Sequence, residues 1–210
     1  MKGFFITFEG TEGSGKTTLI EKIEKYYIDK GYNVIKTREP GGSKIAEDIR
    51  NVILDVNNTQ MDAITEAMLY AASRRQHLVE KVIPYLEKGY LVICDRYIDS
   101  SLAYQGYARE LGIEKVYQMN LLATNGLLPD ATIYVDVRPE VGLTRIKSNK
   151  REQNRLDLEK ASFHQKVYEG YKQVSLMFEN RFKTINGEQT PDEVFNDTIK
   201  ILDNLIESEK

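Results

Sequence analysis

The run Gly10-Thr-Glu-Gly-Ser-Gly-Lys-Thr17 constrains this chain more than any other stretch, because it holds every fixed position of the phosphate-loop pattern between the right neighbours. An apolar run at residues 4–8 precedes it and reads as a short buried strand. An amphipathic segment over residues 17–30 follows and reads as a helix. Gly10, Gly13 and Gly15, with Ser14 among them, let the backbone curl until its N–H groups point inward at phosphate oxygens. The positive end of the next helix, with Thr18 in its first turn, faces the same spot. Lys16 can then reach the terminal phosphates while the Thr17 hydroxyl holds Mg2+. A glycine-rich turn before a solvated helix would need none of these fixed positions. The stretch therefore predicts a nucleoside triphosphate site.

Beyond the loop, short apolar runs alternate with longer periodic ones. Strands are expected near residues 4–8, 33–36, 91–95, 131–135 and 182–185. Helices are expected near 17–30, 45–54, 65–88, 113–124, 141–147, 158–179 and 191–207. Within 158–179, Phe163, Val167, Tyr171, Val174 and Phe178 recur at helical spacing and read as core. Thr190-Pro-Asp-Glu193 is a capping box with proline at the first helical position, so a last helix should begin there. Strands separated by helices predict an α/β domain, a five-stranded parallel sheet flanked by helices. With 210 residues and no linker-like stretch, one domain accommodates the whole chain. Ligands of such sheets lie beyond the carboxyl ends of the strands.

The net charge of −3 supplies no global field for nucleic acid, so a small substrate and local positive charge are expected. The single cysteine, Cys94, excludes an intrachain disulfide framework and suits a reducing compartment. The chain shows neither a signal-peptide pattern nor an apolar run long enough for a bilayer, which makes a cytoplasmic protein the default expectation, with no membrane partner.

Leu91-Val-Ile-Cys-Asp95 reads as a second buried strand ending in a carboxylate, a position from which an acid can hold Mg2+ opposite Thr17. Arg96 follows directly, so Asp95 does more here than cap a turn: anion and cation stand side by side. Arg38, Arg50 and Arg74 fall beyond strand ends or on helices. Singly each reads as a solvated surface residue. Together they could surround a second phosphate, since guanidinium groups hold phosphate oxygens in bidentate fashion. A second anion site beside the first would make the chain a phosphotransferase rather than a hydrolase. The stretch from Arg145 to Arg155 sets five cations against one acid. It reads either as a solvated helix face or as a lid, at about residues 147–156, that closes over phosphates and excludes water. His77 and His164 read as structural, and no His/Cys cluster suggests zinc.

These motifs resemble those of the thymidylate kinases, which pass a phosphoryl group from ATP to dTMP. The resemblance runs from Gly3 to about Leu205 and is most specific at Asp95-Arg-Tyr-Ile-Asp-Ser-Ser-Leu-Ala-Tyr-Gln105. Thr37-Arg-Glu-Pro-Gly-Gly42, Thr65-Glu-Ala-Met-Leu-Tyr-Ala-Ala-Ser-Arg74 and Phe163-His-Gln165 support it. The resemblance implies a phosphate-loop nucleoside monophosphate kinase fold, use of ATP and Mg2+, a place in dTTP biosynthesis and a homodimer formed through packed helices. It also implies roles. Arg96 and Arg38 would contact the dTMP phosphate, with Arg50 in the same cleft. Arg74 would hydrogen-bond the thymine edge, with Gln105 and Ser101 adding polar contacts. Tyr70 stands where the family usually has a stacking phenylalanine, and its hydroxyl needs a partner or water. Tyr104 would crowd the sugar 2′ position, and Glu12 would meet the 3′-OH. Arg145 and the Asn186-Gly-Glu-Gln-Thr190 loop resemble adenine-contacting elements. Some members carry an arginine where Gly13 stands; others, bacterial-like, have glycine there and supply the catalytic arginine from the lid. Arg151 leads as that residue, with Arg155 and Lys150 as rivals.

Transfer is expected to be direct and in line, because phosphoryl transfer needs alignment and charge compensation more than a protein nucleophile. A kinase for another nucleoside monophosphate is the nearest competing reading, which the stretch after Asp95 disfavours. A GTPase switch lacks support, since no Asn-Lys-x-Asp element occurs.

Overall fold

The computed structural model describes residues 3–148 and 155–208. Its strands are β1 (Phe4–Glu9), β2 (Val34–Arg38), β3 (Leu91–Asp95), β4 (Ala131–Asp136) and β5 (Phe182–Asn186). They form one sheet in the order β2-β3-β1-β4-β5, every pairing parallel. β1 therefore lies at the centre, and the loop that follows it opens between the ends of β3 and β4. The apolar runs read as buried strands because alternate residues serve opposite faces. Phe5, Val92, Cys94, Tyr134 and Phe182 feed one core, whereas Ile6, Phe8, Ile93, Ile133 and Ile185 feed the other.

The second of these cores is closed by α1 (Lys16–Asp29) and α9 (Pro191–Ser208), through Leu19, Ile20, Ile23, Val194, Leu202 and Ile206. The capping box ahead of α9 forms as expected: Glu193 N–H donates to Thr190 Oγ1 at 3.4 Å, and Thr190 N–H to Glu193 Oε2 at 2.9 Å. The first core is closed in part by α8 (Ala161–Met177), whose Phe163, Val167, Tyr171 and Val174 are buried. Around these lie α2 (Lys44–Leu54), α6 (Ile113–Thr124) and α7 (Pro139–Ser148).

Two helical segments differ from expectation. The single helix expected over 65–88 is α3 (Ala63–His77), a wider π-helical stretch Leu78–Val82, and α4 (Ile83–Glu87). Pro84 follows the wide stretch and has no N–H for the Glu80 carbonyl. Asp62 caps α3, accepting from Ile64 N–H and Thr65 N–H at 3.0 Å each. The other difference is α5 (Ile98–Ser101), which runs into the π-helical stretch Leu102–Ala108. Asp99 and the two serines argue against a helix locally. Burial overrides them, because this segment packs into α8 so closely that a Cβ on Gly170 would lie 2.9 Å from the Ala103 carbonyl.

Candidate active site

At the carboxyl end of the sheet lies a cavity of about 610 Å³, walled by the loop after β1 on one side and by α2, α3 and the segment after β3 on the others. The loop geometry follows from its glycines. Gly15 has φ +88°, which aims the first turn of α1 inward and which a side-chain-bearing residue rarely adopts. Gly13 has φ +73° and touches α7 so tightly that a Cβ there would sit 2.2 Å from the Gly142 carbonyl oxygen.

Lys16 is buried and folds back on its own loop. Its Nζ donates to Gly10 O at 3.0 Å, Thr11 O at 3.2 Å and Ser14 Oγ at 3.2 Å. Burial, and then repulsion from Arg96, push its pKa down to about 8. A phosphate would be a stronger partner for this ammonium group than carbonyl oxygens. Thr17 and Asp95 line the same cavity, and Asp95 Oδ1 is a buried oxygen with no hydrogen-bond partner. A hydroxyl and a carboxylate are hard donors too few to enclose an ion. That fits Mg2+, which keeps waters and takes phosphate oxygens to complete its shell.

Arg96 occupies a left-handed backbone conformation, φ +68°, uncommon for a residue with a side chain. Its surroundings hold it there. The backbone N–H donates to Phe8 O at 2.9 Å. Nη1 donates to Gly10 O and Tyr171 Oη, both at 2.9 Å, and to Ser100 Oγ at 3.2 Å. Nη2 meets Glu12 Oε1 at 2.8 Å, and the Tyr104 hydroxyl donates to that same oxygen at 3.4 Å. Glu12, Arg96 and Tyr104, three separate expectations from sequence, are thus one cluster.

Arg38 and Arg50 both donate to the Pro40 carbonyl, at 3.2 and 2.8 Å, and Arg38 pairs with Glu47 at 3.0 Å. Burial and the nearby Arg38 lower the pKa of Arg50, with Arg96 adding to the effect. Arg74 is buried: Nε donates to Glu39 at 2.7 Å, Nη1 to Ser101 Oγ at 3.1 Å and to Asn120 Oδ1, and Nη2 to Tyr97 O at 2.9 Å. Tyr70 precedes it by one helical turn, also lining the cavity, and Gln105 donates from Nε2 to Glu66 at 2.8 Å. Arg145 reaches the cavity from α7 and donates through both terminal nitrogens to Gly187 O at 3.2 Å. Arg145 and the 186–190 loop are therefore neighbours.

Arg151 and Lys150 lie outside the described residues, as does most of the expected lid. Arg155 is described and is buried: Nε donates to Ile53 O at 2.8 Å and Nη2 to Glu66 at 2.5 Å. It anchors the chain after the basic stretch.

Sequence reasoning missed three buried acids that organise the site. Glu9 accepts from Tyr97 N–H at 2.7 Å, Ser100 Oγ at 2.6 Å and Tyr171 Oη at 2.9 Å. Burial, then the charge of Asp99, push its pKa up to about 7. Glu39 joins Arg74 to His77, whose other ring nitrogen meets Thr37 Oγ1 at 2.7 Å. Glu66 gathers Gln105, Arg109 and Arg155. Glu9 closes the apolar run of β1, and Glu39 and Glu66 lie inside the stretches 37–42 and 65–74 that carry the family resemblance, so their positions were on view but not their partners.

Comparison with known proteins agrees with this geometry. A family model described as thymidylate kinase matches residues 8–198. A thymidylate kinase of Clostridium novyi is 58% identical over 197 residues, covering 93% of this chain and 96% of the relative. One of Oceanobacillus iheyensis is 55% identical over 212 residues, covering 100% and 94%. The crystal structure of a thymidylate kinase from Ehrlichia chaffeensis superposes with a TM-score of 0.77 at 31% identity, covering 96% of this chain and 99% of that one.

Proposed function

The chain belongs to the thymidylate kinase family, and we propose that it converts dTMP to dTDP by direct in-line transfer of the terminal phosphoryl group of ATP, with Mg2+ bound. The observation that carries this reading is the junction between the loop of Lys16 and the Glu12–Arg96–Tyr104 cluster, because it puts two anion-seeking surfaces in one cavity. Nucleotides bound on the two surfaces would meet phosphate to phosphate.

Each residue then has a task. The loop from Gly10 to Thr18 wraps the donor phosphates, and Lys16 exchanges its carbonyl partners for the migrating group. Thr17 and Asp95 would hold Mg2+, which supplies charge neutralisation between the phosphates. Arg38, Arg50 and Arg96 hold the acceptor phosphate, whose oxygen is already anionic and needs no strong base. Glu12 receives the 3′-OH, and Tyr104 leaves no room at the 2′ position. Arg74, Ser101 and Gln105 read the thymine edge while Tyr70 stacks on the ring. Arg145 and the 186–190 loop flank the adenine.

Gly13 supports the bacterial-like subtype, since the Gly142 carbonyl occupies the space that an arginine side chain would leave through. The catalytic arginine then comes from the basic stretch, with Arg151 our assignment. A cytoplasmic homodimer, with the whole chain as one domain, completes the proposal. Among the described residues no helix is long and apolar enough to cross a membrane.

A coupled assay with ATP, Mg2+ and a panel of nucleoside monophosphates tests the reading. Efficient turnover of dTMP is expected. A preference for AMP, GMP or CMP would refute it.

A further inference from the structure

Glu66 has no place in the chemistry, yet it is almost wholly buried beside the cavity and touches a residue that lines it. Its carboxyl group lies against Arg109 at 3.2 Å and Arg155 at 2.5 Å. Burial favours the neutral acid, but the charge of Arg109 and the hydrogen bonds around it prevail and hold the pKa below its ordinary value. An ionised carboxylate can only accept hydrogen bonds. The end of the Gln105 amide facing Glu66, 2.8 Å away, must therefore be the NH2 group. Gln105 Oε1 is left as the acceptor end of that amide, on a residue that lines the cavity.

We propose that Glu66 is a positioning residue: it locks the Gln105 amide with its oxygen toward the base, and so sets the preference for a 4-oxo over a 4-amino pyrimidine.

Glu66, Tyr70 and Arg74 stand at successive turns of α3, and Ser101 and Gln105 at successive turns of the segment alongside. The cross-links Glu66–Gln105 and Arg74–Ser101 flank Tyr70. Arg74 lines the cavity and can only donate; with Nε, Nη1 and one Nη2 proton engaged, one Nη2 proton remains for a ligand. One edge thus offers a donor, from Arg74, and an acceptor, from Gln105. Thymine and uracil present the complement, a C4 carbonyl and an N3–H. Cytosine presents an amine and a bare N3, opposing like to like at both points. A site built to satisfy one hydrogen-bonding pattern rejects its inverse strongly, because buried groups are left unpaired. The inference rests on dTMP as the acceptor.

Steady-state kcat/KM for dTMP, dUMP and dCMP tests it in wild type, E66Q, E66D and R155M. The neutral amide of E66Q can face Gln105 with either end. Its dTMP-to-dCMP ratio should fall by about tenfold or more, mainly through KM, with dUMP following dTMP. E66D keeps an acceptor-only group and should retain the ratio. R155M breaks the anchor of the chain after the basic stretch, and should change kcat for all acceptors together while leaving the ratio alone. An unchanged ratio in folded E66Q, or an equal change in R155M, overturns the proposal. Should E66Q not fold, NMR of wild-type protein decides. The side-chain amide protons of Gln105, identified by their loss in Q105M, should exchange slowly with water before dTMP is added. Free exchange that stops only on adding dTMP would overturn the proposal. Wild-type protein that fails to phosphorylate dTMP removes the substrate reading and this proposal with it.

Discussion

Replacing Gly13 by alanine tests how the phosphate loop is held to the helix that leads into the basic stretch. Two terms add. Alanine at φ +73° sits in the left-handed region, which costs about 1–2 kcal/mol. Its Cβ would also lie 2.2 Å from the Gly142 oxygen and 2.7 Å from the Gly142 carbonyl carbon. Both distances are far inside ordinary contact, and both atoms are backbone, so α7 must move. Overpacking of this kind costs about 1–3 kcal/mol, which brings the total to about 2–5 kcal/mol. For a chain of this size that predicts a fall in melting temperature of about 5–15 °C by calorimetry. Gly142→Ala separates the terms, because Gly142 has no left-handed φ while its own Cβ would meet Glu12 O at 2.2 Å. It should lose only the packing part, about 1–3 kcal/mol. The double variant should be less destabilised than the sum, since one displacement of α7 relieves both clashes. Arg145 rides on α7, so KM for ATP should rise in both single variants. A G13A protein that melts within about 1 °C of wild type with unchanged KM for ATP would refute the reasoning.

Lys16→Ala should lower kcat by about 10³ while the melting curve stays close to wild type, because the Lys16 hydrogen bonds to Gly10, Thr11 and Ser14 stay within its own loop; near-normal turnover would remove the assignment. With the Lys16 pKa near 8, ATP binding above that pH must recruit a proton. The apparent Kd by calorimetry should therefore climb toward about tenfold per pH unit, and a flat profile counts against this. Glu9→Gln probes a raised carboxyl. As pH rises from about 4.5 to about 7 the unfolded chain ionises Glu9 before the folded one does, so wild type loses stability across that window and the loss ends above it. The stability of E9Q relative to wild type in urea should grow by a few kcal/mol between those limits, and a pH-independent difference would contradict the shift. Tyr104→Ala should raise activity toward ribo-TMP relative to dTMP; an unchanged ratio rules out its role at the 2′ position.

What the sequence reveals and what it conceals divide along a physical line. The strands, the phosphate loop and the capping box of α9 are local: their signals lie within a few residues, and period-2 or period-3.6 patterning exposes them. The segment 98–108 is helical against its own propensity because it packs into Gly170 of α8, which no local window contains. The cavity shows the same division. Arg96 was visible beside Asp95 on a strand end, but what holds its uncommon backbone is a set of partners from across the chain. Glu9 meets Tyr97, Ser100 and Tyr171 across separations of 88, 91 and 162 residues. The cations of the site were legible because a kinase needs them and they fall in motifs. The parts played by the buried acids Glu9, Glu39 and Glu66 were not, although Glu39 and Glu66 stand in the same motifs, because an acid on a helix or at a strand end reads as surface until its neighbours are known. Glu39 holds Arg74 at 2.7 Å, and Glu12 holds Arg96 at 2.8 Å. A guanidinium pinned by an acid has fewer directions in which to offer its remaining protons, so Arg74 and Arg96 meet a ligand already oriented. Such preorganisation reduces the ordering cost of binding.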